Sequence, residues 1–474
     1  MLMTRVIVAV LLIAFPALAV PLAQTTTDPF AEPIAATEGV IKVNFVEFAS
    51  LPDIDGQAAR MMFLVNEPGT RRMFVNDMRG PLYSVSYDGK TVTQYVDVNA
   101  PAWGVRVQSM GNERGVQSFA FHPQFNQRGT RGFGKFYTYT DTSNTMPAAD
   151  FKPSGGNHTH DTILLEWTAK DPGAATYDGG PPRELVRFEQ PFANHNGGQL
   201  TFNPLASPRD ADFGLIYMGL ADGGSGGDPF KHAQNLNSAF GKILRIDPLG
   251  STSANGKYGI PAGNPFANDN DSSTLGEIYA IGLRNPQRIF WDPKNRNMFV
   301  GDIGQNTVEK ISLVTAGANL GWNVWEGSFR YVDGRDGGVN VANPRSDPKI
   351  TYPIAEYGQP DPLFQPSSSV TGGYVYRQNT IPQLNGLLLF GDIPSGEIFY
   401  IRADDLPKGG QDAIRRIMFN DNGESKNLLQ LIKEKNARQG KAPATRADLR
   451  FGLGPENQIF VLNKRDGTIR LFVR

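Results

Sequence analysis

The run Phe119-Ala120-Phe121-His122-Pro123, followed by Phe136-Tyr137-Thr138-Tyr139, decides how the whole chain is read. Apolar residues alternate with small or polar ones up to a proline. A second β-rich run follows the turn. That alternation marks two half-buried strands joined by a short connection. The unit recurs as Leu200-Thr201-Phe202-Asn203-Pro204 with Leu215-Ile216-Tyr217-Met218, and as Ile289-Phe290-Trp291-Asp292-Pro293 with Met298-Phe299-Val300. It recurs again as Phe451-Gly452-Leu453-Gly454-Pro455 with Ile459-Phe460-Val461-Leu462. Looser copies stand around Pro68 and Pro382. Third runs such as Pro81-Leu82-Tyr83-Ser84-Val85 and Glu397-Ile398-Phe399-Tyr400-Ile401 extend two copies into a meander. Six copies without a linker predict an all-β, six-bladed β-propeller.

The prolines at 68, 123, 204, 293, 382 and 455 are 55, 81, 89, 89 and 73 residues apart. A bare four-stranded blade needs roughly 40–50 residues. The middle blades therefore carry long inter-strand loop insertions, expected at 142–156, 222–238, 250–273 and 330–369. Insertions on a rigid scaffold commonly build the functional face. Two short helices are expected, at 411–416 and 426–438, both peripheral.

Composition narrows the function. The 474 residues carry 46 Lys and Arg against 47 Asp and Glu, which argues against a nucleic-acid footprint. Cysteine is absent, so disulfides, thiolate metal sites and cysteine nucleophiles are excluded. The 52 glycines and 34 prolines favour turns and short strands over long helices. Arg5, a short apolar run at 6–15 and Ala17-Leu18-Ala19 read as a secretory signal peptide over residues 1–19. Residues 20–37 then read as a flexible leader and 38–474 as one propeller domain. No further stretch is long and apolar enough for a membrane span. The expected location is periplasmic or secreted.

Several motifs could carry chemistry. Asn194-His195-Asn196-Gly197-Gly198 stands just before a repeat strand, where a histidine can act as a general base. Leu283-Arg284-Asn285-Pro286 stands before the next one, and its arginine can receive an oxyanion or a carboxylate. Asp302-Ile303-Gly304-Gln305-Asn306 offers backbone carbonyls to a hard cation. Each of these, taken alone, is more often a structural loop. His158-Thr159-His160-Asp161 reads as the start of a strand rather than a metal site. Gly223-Gly224-Ser225-Gly226-Gly227 lacks both the lysine of a phosphate loop and the helix of a hydrolase elbow.

Taken together, these segments resemble the soluble glucose/sorbosone dehydrogenase family, whose members use pyrroloquinoline quinone (PQQ). The run Glu277-Ile278-Tyr279-Ala280-Ile281-Gly282-Leu283-Arg284-Asn285-Pro286, the run Gly301-Asp302-Ile303-Gly304-Gln305-Asn306 and Asn319-Leu320-Gly321-Trp322 carry the likeness. The resemblance implies His195 as catalytic base and Arg284 as the group stabilising charge on the quinone oxygen. It implies cofactor contacts from Glu113, Arg284, Asn285 and Arg377. It also implies an active-site calcium on the carbonyls of Gly304 and Gln305. Glu113 replaces a glutamine of well-known members. Asn194 stands where some members carry the acid that orients the histidine. The implied activity is oxidation of an aldose, or a related sugar hydroxyl or aldehyde, with electrons passed to an external acceptor. Two alternatives stay open: a calcium-dependent lactonase drawing on Asp222, Asp302 and Glu309, and a recognition propeller without catalysis.

Overall fold

The computed structural model describes residues 25–332, 337–364 and 366–474. The segment read as a signal peptide lies outside them, as do the first residues of the leader. Strands dominate, and one α-helix, Leu428–Arg438, stands among the described residues. No described helix is long and apolar enough to cross a membrane.

The strands pair as four-stranded antiparallel meanders. The first runs through Met61–Glu67, Arg72–Asp77, Pro81–Ser86 and Val92–Asp97. The second runs through Val116–Phe121, Lys135–Thr142, His160–Thr168 and Arg183–Gln190. Leu200–Phe202, Ile216–Leu220, Lys242–Ile246 and Ile278–Ile281 form the third. Pro286–Trp291, Met298–Asp302, Val308–Val314 and Ala355–Gly358 form the fourth. Val370–Tyr376, Leu387–Asp392, Ile398–Arg402 and Arg415–Asp421 form the fifth. The last joins both ends of the chain: Arg450–Leu453, Ile459–Leu462 and Thr468–Val473 take Ile41–Ser50 as their outer strand.

Every repeat proline falls in the turn between the first and second strands of its meander. Proline has no N–H to give a ladder, so it is tolerated there and not inside. These turns define one end of the molecule, the proline end. The loops entering each first strand lie at the other end. Each meander's leading strands touch the next meander in chain order, and Arg450–Leu453 touches Met61–Glu67, so the set closes on itself. Arg288, only 3% exposed, donates from the fourth meander to the Met62 carbonyl of the first at 2.5 Å.

Apolar side chains between neighbouring meanders supply the core, with Tyr137, Leu200, Met218 and Leu244 in one cluster and Phe290, Phe299, Phe390 and Phe399 in another. The helix begins on a capping box at Asn427 and Gln430 and buries Leu428, Leu431 and Ile432. The second expected helix is absent. Residues 411–414 make a turn, and Arg415–Asp421 is a strand paired to Ile398–Arg402. Pairing with a neighbouring strand outweighs the weak local preference of Gln411-Asp412-Ala413-Ile414. The strand expected from Thr162 begins two residues earlier, at His160.

Burial has a consequence for pH. His122 and His232 are each held down at about 4, first by burial and then by a nearby lysine. Both are neutral when folded, while the unfolded chain binds protons near pH 6.5. Their contribution is complete above that value and lost as pH falls towards 4. A melting series from about pH 7 to about pH 4.5 is therefore expected to show a falling midpoint, with a shallower fall in His122→Asn. A flat profile in the parent would contradict this.

Candidate active site

The end opposite the proline turns gathers most of the motif residues. His195 sits in the loop before Leu200–Phe202, in the left-handed region with φ +56°. The Glu113 carboxylate accepts its backbone N–H at 2.7 Å. Gly198 stands three residues on, and a Cβ there would lie 1.8 Å from the Pro286 carbonyl, so only a glycine lets the two backbones come this close. Ring atom Nδ1 lies 2.7 Å from Oδ1 of Asp222. The Asp222 carboxylate can only accept, so Nδ1 carries a hydrogen, and in the neutral ring Nε2 keeps its lone pair. No partner holds Nε2 among the described residues.

Asp222 is wholly enclosed. The Trp322 indole donates to its Oδ2 at 2.9 Å, and the Gly224 N–H donates to Oδ1 at 3.0 Å. Burial pushes its carboxyl up, but the His195 ring and the Arg284 guanidinium outweigh burial and hold it below the usual range. Asp228 behaves oppositely. Burial and the Asp222 charge push it up to about 7. Two nearby carboxyls are thus driven apart, a pattern typical of working sites.

Arg284 completes the cluster. Its carbonyl accepts the Asp222 N–H at 2.8 Å, and its guanidinium carbon stands 5.8 Å from the Trp322 ring centroid. Nε donates to Gln305 Oε1 at 3.0 Å, and Nη1 donates to the Gly304 carbonyl at 2.5 Å. Nη2 has no partner among the described residues. Asn285 follows, its backbone N–H on Asp302 at 2.8 Å and its Oδ1 on Gln287 Nε2 at 3.2 Å.

The loop holding Gly304 is fixed by a residue the sequence reading missed. Glu326 Oε1 accepts four successive backbone N–H groups, from Gln305, Asn306, Thr307 and Val308, at 2.7, 3.2, 3.0 and 3.0 Å. This nest aims the Gly304 carbonyl at Arg284. Calcium does not fit the arrangement as it stands. The carbonyl meant for the ion is already taken by a cationic donor. Among the described residues no three His, Cys, Asp or Glu side chains converge as ligands. The three lactonase acids are likewise spent separately. Asp222 serves His195. Asp302 accepts the N–H groups of Arg284 and Asn285 and stands 3.5 Å from Lys310. Glu309 accepts from Gly304, Val370 and Gln359.

Arg377 is not brought to this cluster. Val370–Tyr376 begins at the His195 end and finishes at the proline end. Arg377 emerges there, bound to Asp292 at 2.5 and 2.9 Å and to Asp404 at 2.9 Å. Seven strand residues separate the two ends by about 23 Å. Asn194, placed by the sequence beside the histidine, accepts the Ser225 N–H instead, and Asp222 is the acid that orients the ring.

Comparisons with known proteins point to one family and one fold. A family model described as "Glucose / Sorbosone dehydrogenase" matches residues 58–423. HIPL1 protein of Arabidopsis thaliana is 30% identical over 376 residues, covering 71% of this chain and 51% of that protein. Hedgehog-interacting protein of Homo sapiens is 26% identical, covering 68% of this chain and 39% of its own length. The chain thus spans about half or less of these relatives. Aldose sugar dehydrogenase YliI of Escherichia coli is 25% identical over 46% of this chain and 51% of its own length. Among solved structures, the PQQ-bound aldose sugar dehydrogenase of Streptomyces coelicolor superposes with TM-score 0.55 at 18% identity, covering 90% of this chain and 96% of that one. The apo-form of the soluble Escherichia coli aldose sugar dehydrogenase gives 0.59 at 17%, covering 91% and 99%. At such identities the likeness is one of fold, a β-propeller.

Proposed function

Because the chain belongs to the glucose/sorbosone dehydrogenase family, we propose that it is an exported six-bladed propeller that oxidises a sugar hydroxyl or aldehyde with bound PQQ. The carrying observation is the His195–Asp222 pair, with a free Nε2, beside an Arg284 that keeps an unengaged Nη2. The four-stranded meanders are its blades, and residues 1–19 are its export signal peptide.

The donor set suits a planar, carbonyl-bearing oxidant. Arg284 Nη2 and the Asn285 side chain would hold its oxygens, and the buried Trp322 ring packs against Arg284 and helps fix it in place. When bound, the quinone would supply the two-electron acceptor for the hydride leaving the sugar carbon. His195 Nε2 takes the hydroxyl proton in the same event. Asp222 lies behind the ring and stabilises the imidazolium that results. Arg284 offers a fixed positive charge where negative charge develops. Glu113 keeps the His195 backbone in its left-handed conformation through the N–H bond. No step here runs through calcium. An external acceptor removes the electrons.

The test is a titration of apo-protein with PQQ, with and without calcium, read by the quinone absorption. A sugar panel with a dye acceptor follows. Micromolar quinone binding and sugar-dependent bleaching are expected. No binding at micromolar quinone would overturn the redox reading.

One observation favours a second reading. The relatives include hedgehog-interacting protein, 26% identical, whose name describes binding rather than oxidation. A recognition propeller would show no redox activity in the parent and undiminished ligand binding in His195→Ala.

A further inference from the structure

At the His195 end, between the first and last meanders, lies a cavity of about 340 Å³ lined by Arg60, Lys464, Arg465 and Asp448. That volume lies within the usual range for small-molecule sites. Lys464 is 5% exposed and donates to the Asn112 carbonyl at 2.8 Å. No carboxylate lies in ion-pair contact with it among the described residues. Arg60 spends its guanidinium on the carbonyls of Ser109 and Gly111. Arg465 meets Asp448, yet its Nε is buried and unpartnered. Arg450 stands close by at 4% exposure, with Nε also unpartnered. Arg446 reaches Asp448 at 2.6 Å. Five cations thus act around the Asp448 carboxylate, with Asp77 acting on Arg60 and Glu113 on Arg450 as further acids nearby, so positive charge stays in excess. Burial and the Arg450 charge drive the Lys464 ammonium well below its usual range.

Such an excess of buried positive charge is unfavourable unless an anion completes it. Guanidinium forks and an ammonium suit carboxylate or phosphate oxygens. We propose that this cavity binds a multiply charged carboxylate- or phosphate-bearing ligand, held by Lys464, Arg60, Arg465 and Arg450. The cavity is tied to the candidate active site through the chain itself. Asn112 caps Lys464 with its carbonyl, and the next residue, Glu113, holds the His195 backbone. A ligand with its anionic part here would report directly to the histidine loop. The anionic part could belong to a cofactor or to an acidic or phosphorylated sugar. The cavity's charge does not depend on the redox reading, so the two stand or fall separately.

The test uses the full chain, in calorimetry and thermal melts, with citrate, PQQ, glucose 6-phosphate and glucose as probes. Citrate is expected to bind and raise the melting midpoint, with affinity weakened about tenfold in Lys464→Met and in Arg60→Gln. Affinity should be kept in His195→Gln and in Arg377→Gln at the proline end. Without anion, Lys464→Met should melt higher than the parent, because it removes an uncompensated buried charge. If PQQ loses affinity in Lys464→Met, the anion is the cofactor's. If glucose 6-phosphate does, it is the substrate's. Glucose should show no dependence on Lys464. The proposal fails if no anionic probe binds the parent below roughly 10 mM. It also fails if the folded variants bind every anion as the parent does.

Discussion

Replacing His195 with glutamine is expected to lower sugar turnover by about 10³-fold while leaving quinone affinity within a few-fold of the parent. Glutamine can still hydrogen-bond Asp222 through its amide N–H, so the loop keeps its shape. It cannot accept a proton at the cleft. The loss therefore falls on the proton-transfer step, and kcat should drop without a matching rise in KM. Asp222 supplies part of the effect by fixing the tautomer and holding the ring. Steady-state kinetics beside a quinone titration would settle the matter. Equal turnover in the variant would remove His195 from the chemistry.

Deleting residues up to 50 is expected to abolish folding or to cost most of the stability. Ile41–Ser50 is the outer strand of the last meander, pairing Asn44 through Ser50 with Val473 through Thr468. It also runs parallel to Ile417–Phe419 of the fifth meander. Val43 is fully buried, and Phe45 and Phe48 meet Phe419 and Phe460 edge to face at 5.1 and 5.0 Å. Losing a single large core side chain costs about 2–5 kcal/mol, against a total stability of about 5–15 kcal/mol. The deletion also bares a strand edge, which invites aggregation. Soluble yield and circular dichroism of the shortened chain give the readout. A well-folded product melting within about 3 °C of the parent would refute the clasp.

The repeat made most of the fold legible. Each quoted proline marks the first turn of a meander, because proline is expelled from strand interiors. Ile41–Ser50 was not legible, since its partners lie at the far end of the chain and it carries no proline turn. The site was legible where a motif precedes a first strand, as with His195, Arg284 and Asn285. Arg377 failed because it follows a first strand where His195 and Arg284 precede one, and counting strand direction would have shown this. Asp222 was seen only as a scattered acid, but the repeat held its signal. At the end of each meander's second strand, or within two residues of it, stands an Asp or Asn: Asp77, Asp141, Asp222, Asp302, Asp392 and Asn463, all buried. Most accept backbone N–H groups from the loop leading into their own first strand. Asp77 takes Arg60 and Asp141 takes Gly115, while Asp302 takes Arg284 and Asp392 takes Ser369. Asp222 alone among these takes an imidazole and an indole instead. Glu326 had no comparable signal, because its four partners are backbone groups.

Arg288 reaches across the axis of the closed set, from the fourth meander to the Met62 carbonyl of the first, with its guanidinium carbon 5.2 Å from the Phe63 ring centroid. That crossbar ties the fourth meander to the first directly, without passing through the meanders between them. A disturbance in one is therefore felt on the far side of the closed set in a single step, and the two halves of the ring loosen together rather than one after the other.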